Sequence, residues 1–183
     1  KSKLSSEILS LVGEKNEKWI GIAPFAQHDS KVYPLDLMGK VIDQLAENSN
    51  HKILLFGGGA EESLQLQKLA SKYTNVFSVA GKFSLDHELD IISNLKVMLS
   101  MDSSNGHMAA MLGVKVVTLW GVTHPHAGFA PFNQDVTNNV LSDRVKYPKI
   151  PTSIYGNSFP EGYELAIETI PVKSVLEAVN NNL

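Results

Sequence analysis

Five short apolar runs, each followed by a polar cluster and most by a helix-length amphipathic stretch, constrain this chain more than any other feature. The runs are KWIGIAP (18–24), KILLFGG (52–58), NVFSVAG (75–81), KVMLSM (96–101) and VKVVTLWG (114–121). Between them lie 34–49, 60–73, 84–95 and 104–113. Leu37, Val41, Ile42 and Leu45 recur at helical spacing in the first of these, and Leu85, Leu89 and Ile92 do so in the third. Short strands alternating with amphipathic helices bury both faces of a mainly parallel sheet, so the pattern predicts an α/β fold, Rossmann-like and doubly wound. Local signals agree. Pro34 suits a first helical turn, Ser84 with Glu88 downstream opens a helix, and Gly113 ends one. LSSEILSLVGEK (4–15) and PVKSVLEAVNNNL (171–183) read as further helices, whereas 122–162 has weak periodicity and is expected to form long loops.

At 183 residues this is one domain, spanning 1–183, long enough to bury a real core. The chain opens on Lys1 inside a helical pattern and is read as a piece of a longer or processed protein. A net charge of −3 with 19% charged residues argues against a nucleic-acid-binding module, which carries a basic surplus. The absence of cysteine removes disulfides, thiolate metal sites and a cysteine nucleophile. The apolar runs are too short to cross a bilayer, and no N-terminal signal pattern is present.

In a doubly wound sheet, ligands bind beyond the carboxyl ends of the strands. Polar clusters fall there at 24–34, 57–62, 81–84, 102–107 and 121–128. The richest is SMDSSNGHMAA (100–110). Asp102, Ser103, Ser104, Asn105 and Gly106 lead into a helix whose first N–H groups, aided by the macrodipole, form a natural anion site. Gly106 would permit close approach of a ligand, and His107 could donate to a phosphate or be a satisfied structural histidine. Asp102 or Ser103 could equally be no more than a helix cap. FGGGAEE (56–62) is glycine-rich but lacks the Lys-Ser/Thr of a P-loop, and its acids suit ribose hydroxyls better than phosphate. Lys31 is the one cation of the 24–34 loop and could neutralise a diphosphate, or be merely solvated. In WGVTHPHAGFAP (120–131), His124 and His126 lack a third ligand at metal-site spacing, so the loop is read as ordering over a ligand.

Taken in order, PFAQHDSKVYP, LLFGGGAEE, AGKFSL, SMDSSNGHMAA and VTLWGVTHP resemble the C-terminal domain of glycosyltransferase family 9, the ADP-heptose:lipopolysaccharide heptosyltransferases, over roughly residues 19–131. The resemblance implies one half of a GT-B architecture: a donor-binding domain whose N-terminal, acceptor-binding partner domain, with the general base, lies outside this chain. It implies that Lys31 binds the diphosphate, that Glu61 or Glu62 holds the ribose, and that Phe83 contacts adenine. Asp102, Ser103, Ser104, Asn105, Gly106 and His107 would surround the diphosphate and the sugar, with Lys31 and His107 stabilising charge in the transition state. Asp102 would orient backbone amides or sugar hydroxyls. Ala26 and Gln27 stand where the family has small or hydroxyl residues, Ser104 replaces a glycine, and Tyr33 replaces a tryptophan. The implied reaction is inverting transfer of heptose from ADP-heptose to a lipopolysaccharide-type glycolipid, with no metal or other cofactor. The whole enzyme would be cytoplasmic, peripheral at the inner face of the inner membrane, and this domain inactive alone. A UDP-sugar transferase or epimerase, or a non-catalytic nucleotide-binding module, are the alternatives.

Overall fold

The computed structural model describes residues 1–14, 17–127 and 129–183; Lys15 and Gly128, each at the end of a segment read above, lie outside the described residues. In chain order the elements are α1 (Ser6–Val12), β1 (Lys18–Ala23), α2 (Leu35–Ala46), β2 (His51–Leu55), α3 (Gly59–Ala70), β3 (Val76–Ser78), α4 (Leu85–Ser93), β4 (Val97–Met101), α5 (Ser104–Met111), β5 (Lys115–Trp120), β6 (Asn139–Leu141) and α6 (Val172–Asn180). The strands form one sheet in the order β3-β2-β1-β4-β5-β6, with every neighbouring pair parallel. The fold is α/β and Rossmann-like, as the alternation of runs predicts.

Alternate residues of each strand feed two cores. Ile20 and Ile22 of β1, Ile53 and Leu55 of β2, and Val97 and Leu99 of β4 pack with α2, α3 and α6. Trp19, Leu54, Met98 and Val116 pack on the opposite face with α1, α4 and α5. Burial on both faces is why these strands read as continuous apolar runs rather than alternating ones. The chain order reverses between β1 and β4, which places a topological switch point at the centre of the sheet.

Three details differ from the sequence reading. Pro34 stands at the N-cap of α2 rather than inside its first turn. The 75–81 run shortens to Val76–Ser78. The segment 122–162 also contains a sixth strand, β6, beside β5, and its Val122, Tyr147 and Ile150 pack a small core together with Ala166. Among the described residues, no helix is long and apolar enough to cross a membrane.

Candidate functional site

Four segments meet above the switch point and enclose a cleft of about 420 Å³. The loop after β1 supplies Lys31, at the end of a 3-10 turn, Asp29–Lys31. This turn is pinned from three sides. The buried Ser30 hydroxyl donates to the Gly156 carbonyl at 2.5 Å. The wholly buried Tyr33 donates its hydroxyl to the Ile170 carbonyl at 2.9 Å and its N–H to the Met101 Sδ at 3.3 Å. Burial, then the neighbouring Asp36 carboxylate, push the Tyr33 phenol up to about 12, so it remains a donor at any physiological pH. On the third side, a Cβ on Gly121 would lie 2.1 Å from the Ser30 carbonyl oxygen, so only glycine lets the end of β5 pass beneath the turn.

Lys31 itself crosses the switch point. Its Nζ lies 3.2 Å from Oδ2 of Asp102, the first residue after β4, and the two side chains are only 12% and 6% exposed. The aliphatic stem of Lys31 lies against Gly156, where a Cβ would approach its Cγ to 2.8 Å. The lysine is therefore held by an ion pair at its tip and by close packing along its length. The Asp102 carboxylate is engaged with Lys31 through Oδ2.

The third segment is the start of α5. Ser103 occupies the N-cap with extended backbone, but its side chain makes no capping bond; its Oγ lies 3.2 Å from that of Ser100. No acid stands in the first turn. Neither Asp102 nor Ser103 thus serves as a side-chain cap, and the helix presents its first N–H groups without one. Ser103, Ser104, Asn105 and His107 all line the cleft. Gly106 does not. A Cβ there would meet Ser100 Oγ at 3.2 Å and Val116 Cγ1 at 3.5 Å, so this glycine seats α5 on the sheet rather than admitting a ligand.

At the end of β2, Phe56, Gly57, Gly58 and Glu62 form the next wall. Glu62 Oε2 accepts the Gly58 N–H at 2.7 Å, which leaves its second oxygen for another donor. Glu61, in the same turn, does not line the cleft. Phe83 also lies outside it, packed against the core beneath α4 and edge-on to His87 at 6.2 Å between centroids.

The fourth segment comes from beyond β5. Phe129, Ile154 and Tyr155 close the cleft, with the two rings 5.5 Å apart and tilted by 41°. Sequence reasoning did not single them out. Phe129 falls within the 120–131 loop read as ordering over a ligand, whereas 154–155 sit in a stretch without periodicity, so only the fold brings Ile154 and Tyr155 in. Phe25, Phe56 and Gln27 line the cleft as well, and the Gln27 amide brings both donors and an acceptor.

His124 and His126 fall outside the cleft, and their rings meet edge to face at 4.9 Å. His124 Nδ1 faces the His126 N–H at 3.2 Å and Nε2 faces Arg144 Nη1 at 3.2 Å. Burial, then the Arg144 charge and His126, lower the His124 pKa. The pair is therefore a structural tie between two loops. Among the described residues, no group of three or more His, Asp or Glu converges as a metal site would require.

Comparison with known proteins gives the family and the fold. Residues 2–156 match the model of glycosyltransferase family 9 (heptosyltransferase). Lipopolysaccharide heptosyltransferase 3 of Escherichia coli is 25% identical over 146 residues, which are 79% of this chain and 41% of that protein. Among solved structures, E. coli heptosyltransferase WaaC with ADP superposes with a TM-score of 0.71 at 19% identity, over 96% of this chain and 47% of the other. E. coli ADP-heptose lps heptosyltransferase II gives 0.70 at 18% identity, over 98% and 52%. The chain thus spans about half the length of the relatives it matches. With a family match over most of its length and the fold shared with these structures, the chain belongs to glycosyltransferase family 9, the heptosyltransferases.

Proposed function

We propose that this chain is the donor-binding part of a heptosyltransferase that uses ADP-heptose and a lipopolysaccharide-type acceptor. The observation that carries the proposal is Lys31 facing the uncapped N-terminus of α5 across the switch point. A diphosphate is the ligand such a site suits: it needs a cation on one side and a row of N–H donors on the other. Glu62 stands on the β2 side, where the free oxygen of its carboxylate accepts ribose hydroxyls. As the glycosidic bond breaks, negative charge grows on the departing diphosphate, and Lys31, His107 and the α5 terminus stabilise it from fixed positions. The proposal assigns no metal to this step.

The names of the relatives support ADP, ADP-heptose and lipopolysaccharide as the chemistry of the family. Because the chain covers about half of those proteins, the acceptor site and the general base are assigned to residues outside it. This chain then binds donor without transferring sugar, and the whole enzyme works at the membrane face that displays its glycolipid acceptor.

Calorimetric titration of the chain with ADP and with UDP tests the proposal. ADP should bind more tightly than UDP, and Lys31→Ala should weaken ADP by roughly ten- to a hundredfold, the worth of a charge-assisted contact. Preference for UDP would transfer the site to UDP-sugar chemistry. Failure of the chain to bind either nucleotide, or heptose transfer by the chain alone, would contradict the proposal.

A further inference from the structure

The fourth wall of the cleft is not among the residues assigned above to the nucleoside diphosphate, and it carries two large rings in the open. Phe129 is 38% exposed and Tyr155 is 61% exposed, although both lie against the site. They are in contact with each other, and Ile154 adds an aliphatic surface beside them. Their position relative to the charged centre is set by two independent ties. Gly156, next to Tyr155, accepts from Ser30 and packs on the stem of Lys31. Ser153 Oγ accepts the N–H groups of Gly156 and Ser158 at 3.0 and 3.3 Å, which closes the 153–158 loop on itself. Tyr155 is therefore built onto the turn that carries the cation.

The order of strands gives the direction. Glu62 follows β2, Lys31 follows β1, Asp102 and the α5 terminus follow β4, and Phe129 follows β5. Neighbouring strands are about 4.8 Å apart, so the row from β2 to β5 extends roughly 14 Å. A ligand with its ribose at Glu62 and its diphosphate at the switch point directs whatever lies beyond the second phosphate toward the rings.

We propose that Phe129 and Tyr155 form the subsite for the sugar of the donor, an aromatic platform that receives the apolar C–H face of a pyranose ring. The proposal rests on the diphosphate assignment made above. The physical basis is the quadrupole of the aromatic face, whose negative centre attracts the partial positive charge on sugar C–H groups while the ring covers apolar surface. The hydroxyls of the sugar then face the polar wall of Ser104, Asn105 and His107. The platform selects for the presence of a glycosyl group, and it offers no contact to the nucleoside.

The test compares ADP and ADP-heptose, titrated into the chain and into Phe129→Leu, Tyr155→Leu and the double variant. Both side chains are solvent-exposed, and thermal unfolding of each variant confirms that it folds. The expected result is an ADP Kd unchanged within twofold and an ADP-heptose Kd raised about tenfold in the double variant, the size of aromatic contacts of this kind. Tyr155→Phe should keep the wild-type Kd for both ligands. Equal weakening of ADP and ADP-heptose would overturn the platform by placing the rings on the nucleotide, with the diphosphate assignment intact. Unchanged affinity for both ligands would also overturn it. If wild type fails to bind ADP, the diphosphate assignment falls, and the platform with it.

Discussion

Lys31 and Asp102 come from loops 71 positions apart and meet only because β1 and β4 are neighbours in the sheet. Each was visible in the sequence as a polar residue at a strand end; the pair was not, because nothing local records which strands adjoin. The carboxylate holds the lysine over the cleft and keeps it extended against Gly156. Lys31→Met preserves the stem but leaves the nearly buried Asp102 charge without its partner, and should cost about 1–3 kcal/mol in urea denaturation. Lys31→Met combined with Asp102→Asn should recover a large part of that loss; a double variant no more stable than the single would show that the pair contributes nothing. Gly156 sits at φ +79° with Lys31 Cγ in the path of any Cβ. Gly156→Ala should therefore destabilise by about 1–2 kcal/mol from the left-handed backbone alone. It should also raise the ADP Kd by displacing the Lys31 stem. The sequence offered no hint of this glycine's part, since its neighbour in space lies on another loop.

At the scale of elements, α5 shows most clearly how a binding site departs from a purely structural helix. Its N-cap is a serine that does not cap, in contrast to α1 and α4, where Ser5 and Ser84 accept from the Ile8 and His87 N–H groups. Ser103→Asp places a carboxylate against the open N–H groups and the positive end of the dipole. It should raise stability by about 0.5–1 kcal/mol. The same carboxylate occupies the place of a phosphate, so ADP binding should be lost. Stability raised with ADP affinity unchanged would mean that the terminus is not the anion site. The five principal strands were legible because burial on both faces makes each a continuous apolar run. β6 escaped because it is three residues long at the sheet edge and contributes only Val140 to the core. The amphipathic helices were placed to within a few residues, while the aromatic wall of the cleft, drawn from loops, was not.

The whole molecule couples its tail to the sheet through His124, which joins the segment after β5 to Arg144, whose Nη2 in turn donates to the Ile150 carbonyl at 2.8 Å. Burial is the main cause that depresses the His124 pKa in the fold, with the Arg144 charge second. The unfolded chain therefore binds a proton at higher pH than the native one. The stability this residue contributes is fully present above the ordinary histidine value of 6.5 and is lost as pH falls through the depressed native value. The midpoint of thermal unfolding should decline below pH 6.5, and His124→Gln should flatten that decline; an equal decline in the variant would assign the acid sensitivity elsewhere. This tie lies outside the cleft, so ADP affinity at neutral pH should survive the substitution. The central claim concerns the switch point, and a crystal structure of this chain with ADP tests it most directly. The diphosphate should lie between Lys31 Nζ and the N–H groups at the start of α5, with the ribose toward Glu62. A nucleotide bound with its phosphates away from Lys31 and α5, or with its ribose against Phe129 and Tyr155, would contradict it.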